Sequence, residues 1–164
     1  MKIRISGLVN DSIVDGPGFR FAVFAQGCPH HCPGCHNPQT HDFGGGRDMD
    51  TAEIIDKFLA NPLLDGITLT GGEPFRQSEA CLELAKAARG AGLNVWAYSG
   101  YTYEEILRDP AMRALLSQVD VLVDGRFVLA ERSLSLRFRG SRNQRLIDVP
   151  KSLESGTVVQ IPDN

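Results

Sequence analysis

Three cysteines within eight residues, Cys28, Cys32 and Cys35, could together bind a metal centre. The spacing lets one short loop direct three thiolates at one metal centre, and Gly34 lets that loop turn tightly. Iron–sulfur clusters are held by cysteine thiolates, and a cubane with only three protein thiolates keeps one iron without a protein ligand. The cysteines therefore predict a cluster with an open iron.

The cysteines could also form a structural zinc site, an electron-carrying cluster or disulfides, but the sequence favours these uses less. A structural zinc site would take its fourth ligand from His30, His31, His36 or His41, but zinc sites are usually built from two Cys pairs and no second pair exists here. An electron-carrying cluster would need Cys81, which lies in an Ala/Leu-rich helical stretch typical of a buried thiol. Disulfides are not needed, because 164 residues can bury a core.

A second chemically suggestive stretch, Gly71 to Pro74, follows a predicted strand at Gly66–Thr70. On its own it could be a glycine turn between a strand and a helix. Glycines also leave backbone carbonyls uncovered, so that the ammonium group of a ligand can approach them.

The cysteine motif together with Gly71-Gly72-Glu73-Pro74 resembles the radical S-adenosylmethionine (SAM) enzymes. Asp15-Gly16-Pro17-Gly18-Phe19-Arg20 is similar to a stretch of the activases of glycyl-radical enzymes. Cys-Pro-Gly-Cys followed by Asn37, and the stretch 138–145, resemble the activating proteins of the anaerobic ribonucleoside-triphosphate reductase. The resemblance runs from about residue 15 to residue 149.

The resemblance implies that Cys28, Cys32 and Cys35 hold a 4Fe–4S cluster whose open iron chelates the amino and carboxylate groups of SAM. A low-potential donor such as flavodoxin or ferredoxin would supply one electron, and SAM would split into methionine and a 5′-deoxyadenosyl radical. That radical would take hydrogen from a glycine of the reductase. The residues expected at the cofactor are Gly34, Gly71, Gly72, Glu73, Pro74, Tyr98, Ser99 and Asp124.

Several surrounding residues carry weaker expectations. The stretch from Asp15 to Arg20 is either a tight turn into a core strand or the rim at which the partner's glycine loop enters, with Arg20 as a contact. Five arginines between 132 and 145 form either a solvated basic face or part of the SAM pocket or reductase dock. His30 and His31 are expected to be exposed loop residues.

Composition narrows the class of protein. The chain has 164 residues, 42% of them hydrophobic and 23% charged, which predicts a single globular domain spanning 1–164. The net charge of −3 gives no electrostatic reason to expect nucleic acid. No apolar run approaches the roughly 20 residues of a membrane span, so we expect a cytoplasmic protein.

Alternating strand and helix patterns predict an α/β fold: an open partial (βα) barrel with a mostly parallel sheet and outer helices. The resemblance implies that this barrel is of the radical SAM type. Helices are expected after Asp50, over Ser78–Arg89, after Thr102 and from Pro110. The expected strands are Lys2–Ser6, Phe21–Ala25, Gly66–Thr70, Asn94–Tyr98, Val119–Gly125 and Thr157–Ile161.

Two other functions remain open at this point. Another radical SAM enzyme would share the cysteine motif: either another glycyl-radical activase, or a deazapurine-forming synthase, which would carry an additional domain. A zinc-binding interaction module would use the cysteines without any redox chemistry.

Overall fold

A computed structural model describes residues 1–162 of the chain. Its strands are β1 (Lys2–Ser12), β2 (Arg20–Ala25), β3 (Arg47–Asp50), β4 (Gly66–Gly71), β5 (Asn94–Tyr98), β6 (Val121–Asp124) and β7 (Arg145–Asp148). Its helices are α1 (Thr51–Leu59), α2 (Ser78–Gly90), α3 (Tyr103–Leu107), α4 (Pro110–Leu116) and α5 (Val149–Ser155). Short 3-10 turns lie at Pro38–Thr40, Pro74–Gln77 and Leu129–Glu131.

All seven strands form one sheet in the order β3-β1-β2-β4-β5-β6-β7. The four central strands are parallel, but β1 runs antiparallel to both β2 and β3, and β7 runs antiparallel to β6. The prediction of a mostly parallel sheet was therefore wrong, because the sheet is mixed. Parallel neighbours need a long crossover, usually a helix, and the connection from β1 to β2 is too short for one.

The two faces of the sheet are different in character. Successive side chains along a strand point to opposite faces. Phe21, Val23, Ile67 and Leu69 join one large buried core with side chains of helices α1 to α4. The opposite face carries Trp96, which packs in a smaller cluster with Val123, Leu146 and Phe138. We call the first the helix face and the second the inner face.

The carboxyl ends of the four parallel strands meet at one edge of the sheet. Ala25 at the end of β2 pairs with Gly71 at the end of β4, and Tyr98 at the end of β5 pairs with Val123 of β6. The loops that leave this edge include the cysteine loop and the Gly71–Pro74 loop. Loops at the carboxyl ends of parallel strands are where α/β proteins bind ligands.

The helix signals in the sequence are confirmed. The Asp50 side chain accepts a hydrogen bond from Ala52 N at the start of α1. Thr102 and Glu105 form a complete capping box at α3. No helix among residues 1–162 is long and apolar enough to cross a membrane.

The ends of the sheet differ from the prediction. Strand β1 continues to Ser12, and β3 lies where no strand was predicted. The predicted last strand, Thr157–Ile161, makes only an isolated bridge between Gln160 and Ile147. The strand that closes this side is β7, whose pairing with β6 runs from Val121–Asp148 to Asp124–Arg145.

Candidate active site

The cysteine loop leaves the end of strand β2 and is fixed at its base by backbone hydrogen bonds. Gly27 N donates to Thr40 O at 2.7 Å, and Cys28 N donates to His41 O at 3.1 Å. The loop therefore leaves and returns at one point, which holds the first cysteine close to the sheet.

The far end of the loop turns at Gly34. Cys35 N donates to Cys32 O at 3.1 Å, and Gly34 has a φ of 75°, which disfavours any residue with a side chain. A Cβ at this position would also lie 2.8 Å from a methyl group of Leu129 and 3.3 Å from the ring of Phe127. The absence of a side chain at Gly34 thus lets the 126–131 segment cover the turn.

A cavity of about 650 Å³ opens at this edge of the sheet and on the inner face. The predicted site residues on its lining are Cys28, Cys32, Cys35, Gly71, Gly72, Tyr98 and Ser99. Four other predicted site residues do not lie on that lining: Gly34, Glu73, Pro74 and Asp124. A second cavity, of about 490 Å³, lies near Phe75 and Met112, away from the cysteines.

The three cysteines on the lining are free thiols. Cys28 is buried, and Cys32 and Cys35 are half-buried. Loss of solvent raises the pKa values of the Cys28 and Cys32 thiols above their ordinary value. Metal binding must displace these protons, because only the thiolate is a ligand.

The two glycines after strand β4 lie directly against the end of strand β2. A Cβ at Gly71 would be 2.6 Å from Ala25 N, and a Cβ at Gly72 would be 2.9 Å from the carbonyl carbon of Gly27. Gly72 N donates to Ala25 O at 2.8 Å. These glycines therefore let the Gly71–Pro74 loop pack against the base of the cysteine loop. Both glycines still line the cavity.

The Glu73 carboxylate lies beneath the cavity wall and is fully buried. Oε2 accepts hydrogen bonds from Phe75 N at 3.1 Å and from Ser99 Oγ at 2.9 Å. Oε1 accepts one from Gly100 N at 2.8 Å and lies 2.7 Å from His30 Nε2. The structure thus places this carboxylate among four protein donors and not on the cavity lining.

His30 was expected to be exposed, and that prediction was wrong. Its side chain is only 4% exposed. Its ring makes an edge contact with Tyr101, with centroids 4.6 Å apart. His31, the next residue, is exposed, as expected. Nothing in a pair of adjacent histidines tells which of them turns inward.

Asp124 lies at the end of strand β6 and is bound by a single arginine. Arg145 donates from Nε to Oδ1 at 3.0 Å and from Nη2 to Oδ2 at 2.5 Å, and Tyr103 N donates to Oδ2 at 2.8 Å. Arg145 also pairs with Glu104. The hydrogen bonds to Asp124 are the main reason that the pKa of Arg145 lies above its ordinary value.

The prediction that Arg20 contacts the partner was wrong, because Arg20 is fully buried. Its guanidinium donates to Thr68 Oγ1 at 2.7 Å, to Pro17 O at 3.1 Å and to Ile67 O at 2.7 Å. It also lies over the ring of Trp96. Burial lowers the pKa of Arg20 to about 10. Arg20 therefore holds the glycine-rich turn before β2 against the inner face.

Four residues of the segment 138–144 line the same cavity as the cysteines: Phe138, Arg139, Gly140 and Gln144. Gln144 Oε1 accepts hydrogen bonds from Gly140 N at 2.8 Å and Ser141 N at 3.1 Å, which holds the loop in shape. Phe138 has a φ of 62°, which is uncommon outside glycine, and its ring packs on Trp96. Arg139, which donates from Nη1 to Gln144 O at 3.0 Å, lies on the lining.

The basic cluster therefore divides by position. Arg132, Arg137 and Arg142 are exposed, whereas Arg139 lies on the cavity and Arg145 binds Asp124. The exposed members form a solvated face, whereas a role of the cluster in a SAM pocket or a reductase dock stays a prediction.

Comparison with known proteins identifies the family. Residues 14–147 match the family of 4Fe-4S single cluster domains. The anaerobic ribonucleoside-triphosphate reductase-activating protein of Vibrio cholerae is 37% identical over 142 residues, covering 80% of this chain and 89% of that protein. The Escherichia coli K12 protein of the same name is 35% identical, covering 80% of this chain and 90% of that protein, and the one from Enterobacteria phage T4 is 35% identical over 81% and 86%.

The chain belongs to the family of anaerobic ribonucleoside-triphosphate reductase-activating proteins.

The fold of this reductase-activating family member is also found in a solved structure of low sequence identity. A crystal structure of QueE from Escherichia coli matches with a TM-score of 0.52 and 13% identity, covering 76% of this chain and 70% of that chain. Family membership confirms the resemblance that the sequence motifs indicated, and it confirms the predicted 4Fe–4S cluster and SAM as cofactors.

The residues of this family member fit a cluster with three protein ligands. Cys28, Cys32 and Cys35 line one cavity, whereas Cys81 is buried on the helix face, where loss of solvent raises its pKa to about 12. Among residues 1–162, no three His, Cys, Asp or Glu side chains converge where one ion could bind. A cubane needs no such convergence, since each thiolate binds a different iron.

Proposed function

We propose that this chain activates the anaerobic (class III) ribonucleoside-triphosphate reductase by generating a glycyl radical on it. When bound, the cluster supplies one electron to SAM, whose carbon–sulfur bond breaks to give methionine and a 5′-deoxyadenosyl radical, and this radical takes a hydrogen atom from a glycine of the reductase. The observation that carries the proposal is that three free cysteines and the Gly71–Gly72 backbone line one cavity in a chain of this family.

The protein's own residues have separate tasks in this proposal. Cys28, Cys32 and Cys35 bind the cluster at the rim of the cavity. Gly71 and Gly72 present backbone to the amino group of SAM. Tyr98 and Ser99 line the adjoining wall, at which the rest of SAM would lie.

The other predicted site residues support these groups from behind. Gly34 permits the tight turn between the last two cysteines, and Glu73 with Pro74 fixes the glycine loop. Asp124 holds Arg145 at the end of strand β6. These four residues are therefore not among the proposed contacts with SAM.

The turn before strand β2 is the side at which we propose that the reductase loop enters. Asp15 and Val14 line the cavity, and Ile13 and Val14 are 68% and 75% exposed. Exposed apolar side chains beside a cavity favour contact with another protein. The same turn is fixed from below by Arg20, so it can receive a partner without moving.

The motifs also imply a domain type, an electron donor and a cellular compartment for this chain. The 1–164 chain acts as one radical SAM domain, an open partial barrel whose inner face holds the cofactors. The electron comes from a low-potential donor such as flavodoxin or ferredoxin. The reaction takes place in the cytoplasm without oxygen, which would destroy both the cluster and the glycyl radical.

Anaerobic reconstitution followed by addition of the reductase tests this function. We expect about four irons per chain by the stoichiometry of a cubane. We also expect methionine and 5′-deoxyadenosine on reduction with SAM present, and a glycyl radical signal in the electron paramagnetic resonance (EPR) spectrum once the reductase is added.

Different negative results in this experiment contradict different parts of the proposed function. A colourless protein that binds one zinc ion would contradict the cluster. Cleavage of SAM with no glycyl radical on the reductase would contradict the activase role and leave radical SAM chemistry on another substrate.

A further inference from the structure

His30 lies between the first two cysteines of the loop, and its side chain contacts several neighbouring loops. Its Nε2 lies 2.7 Å from Glu73 Oε1, and Arg126 Nε lies 3.2 Å from its Nδ1. The ring packs edge-on against Tyr101. One imidazole therefore contacts the loops that follow strands β4, β5 and β6.

The two ring nitrogens of His30 have different partners, and these settle the direction of each hydrogen bond. The Arg126 guanidinium has only donors, so His30 Nδ1 must accept from it. The ring proton then lies on Nε2, which donates to the Glu73 carboxylate. The ring thus links an exposed arginine on one loop to a buried carboxylate on another.

Glu73 extends this link to the loop after strand β5. Its carboxylate also accepts from Ser99 Oγ at 2.9 Å and Gly100 N at 2.8 Å. Hydrogen bonds to a charged partner in a buried place are the strong ones, because water cannot replace them. Glu73 is thus the point at which three of the cavity-forming loops are fastened together.

The glycine at position 100 leaves space for the ring. A Cβ there would lie 2.6 Å from His30 Nε2 and 2.8 Å from its Cγ, closer than real Cβ contacts come. The backbone of Gly100 is not in the left-handed region, and the three atoms nearest to such a Cβ all belong to the His30 ring.

We propose that His30 is a positioning residue, which fastens the cysteine loop to Glu73 and so sets the distance between the cluster and the SAM-binding backbone of Gly71 and Gly72. His30 does not bind iron in this account. Its loss leaves the three cysteines able to assemble a cluster but lets the loop shift relative to the glycine loop. The inference rests on the SAM-cleaving part of the proposed function and is independent of the partner.

The experiment uses the anaerobically reconstituted full chain, with iron content, SAM affinity and the EPR spectrum of the reduced cluster as readouts. For His30→Ala we expect normal iron content, about a ten- to hundredfold weaker SAM affinity from loss of a charge-assisted hydrogen bond, and a smaller SAM-induced change in the spectrum. His30→Gln should recover most of the affinity, because its amide can donate to Glu73. His31→Ala is the matched control in the same loop and should behave as the unmodified chain.

A double substitution tests the ring contact itself. Gly100→Ala should weaken SAM binding in the unmodified chain, because the new methyl group displaces the His30 ring. In the His30→Ala background the same change should cost little, because the ring is absent. Residues that act through one contact show this kind of non-additivity.

Several results would overturn the inference. His30→Ala with unchanged SAM affinity and spectrum would do so, as would His30→Ala that loses iron as completely as a cysteine variant. A His30→Gln chain no better than His30→Ala, or strictly additive effects of Gly100→Ala and His30→Ala, would also count against it. An unmodified chain that does not cleave SAM contradicts the proposed function itself, before any comparison of variants.

Discussion

The two faces of the sheet use the same strands for opposite purposes. On strand β4, Ile67 and Leu69 point into the helix-face core, whereas Thr68 binds the buried Arg20 and Thr70 lines the cavity. The helix face is closed by apolar packing. The inner face is held by hydrogen bonds from a few buried polar groups, which leaves a cavity open beside the cysteines.

Stability and chemistry therefore depend on different faces of the sheet. Apolar burial on the helix face supplies most of the stabilising free energy. Polar groups on the inner face, and in the loops at its rim, fix the geometry of the site and contribute less to stability. Substitutions on the two faces should therefore separate into effects on folding and effects on cofactor binding.

The largest contrast is expected between the rim cysteines and the helix-face cysteine. Cys28→Ala, Cys32→Ala or Cys35→Ala should each abolish stable cluster assembly, because each variant leaves only two protein thiolates to bind the cubane. Cys81→Ala removes a small buried group on the helix face and should leave iron content nearly unchanged. Iron analysis after anaerobic reconstitution checks both, and loss of iron in Cys81→Ala would contradict the three-cysteine site.

The second contrast concerns folding stability. Phe58→Ala removes a fully buried ring that packs on Phe21 in the helix-face core, and should lower the free energy of unfolding by about 3–5 kcal/mol. Tyr98→Phe removes only a hydroxyl from the cavity lining and should cost less than about 1 kcal/mol. Denaturant unfolding of the cluster-free chain under reducing conditions measures both. Equal costs would contradict the smaller contribution of the inner-face polar groups to stability.

A smaller effect on stability is expected at Arg20. Arg20→Met fills similar space but removes the guanidinium, whose Nε donates to Thr68 Oγ1 and whose Nη2 donates to Ile67 O, so we expect a loss of about 1–3 kcal/mol in the free energy of unfolding. SAM affinity should change little, because Arg20 lies below the lining. A variant with normal stability that fails to bind the reductase would restore Arg20 as a contact with the partner.

A smaller loss of stability than at Arg20 is expected at Asp124. Asp124→Asn weakens the ion pair with Arg145. Because the Arg145 side chain is 27% exposed, solvent screens this pair, and we expect the free energy of unfolding to fall by only about 1 kcal/mol. SAM affinity should stay the same, because Asp124 does not lie on the lining. A large loss of SAM affinity without a change in stability would place this carboxylate at the cofactor after all.

Local sequence patterns were sufficient for the parts of the fold that depend on neighbours along the chain. The cysteine spacing, the Gly71–Gly72 turn and the helix caps at Asp50 and Thr102 are all properties of short stretches. The mixed sheet was not predicted, because pairing direction depends on which strands become neighbours in space, and no short stretch of sequence shows that β1 pairs with β2 or that β7 pairs with β6.

The roles of single polar residues depended on distant contacts and were missed for that reason. His30 turns inward because Glu73, 43 positions away, lies beneath it. Arg20 is buried because Thr68 and Ile67, 48 and 47 positions away, supply its acceptors. Neither partner is marked by anything in the residues next to His30 or Arg20.

The most direct test of the three-thiolate site is Mössbauer spectroscopy of the chain reconstituted with ⁵⁷Fe, before and after addition of SAM. The cysteines predict that one iron of the cubane changes its spectrum when SAM binds, while the other three keep theirs. A cluster whose irons all stay the same with saturating SAM, or whose fourth iron already carries a protein ligand, would contradict the account.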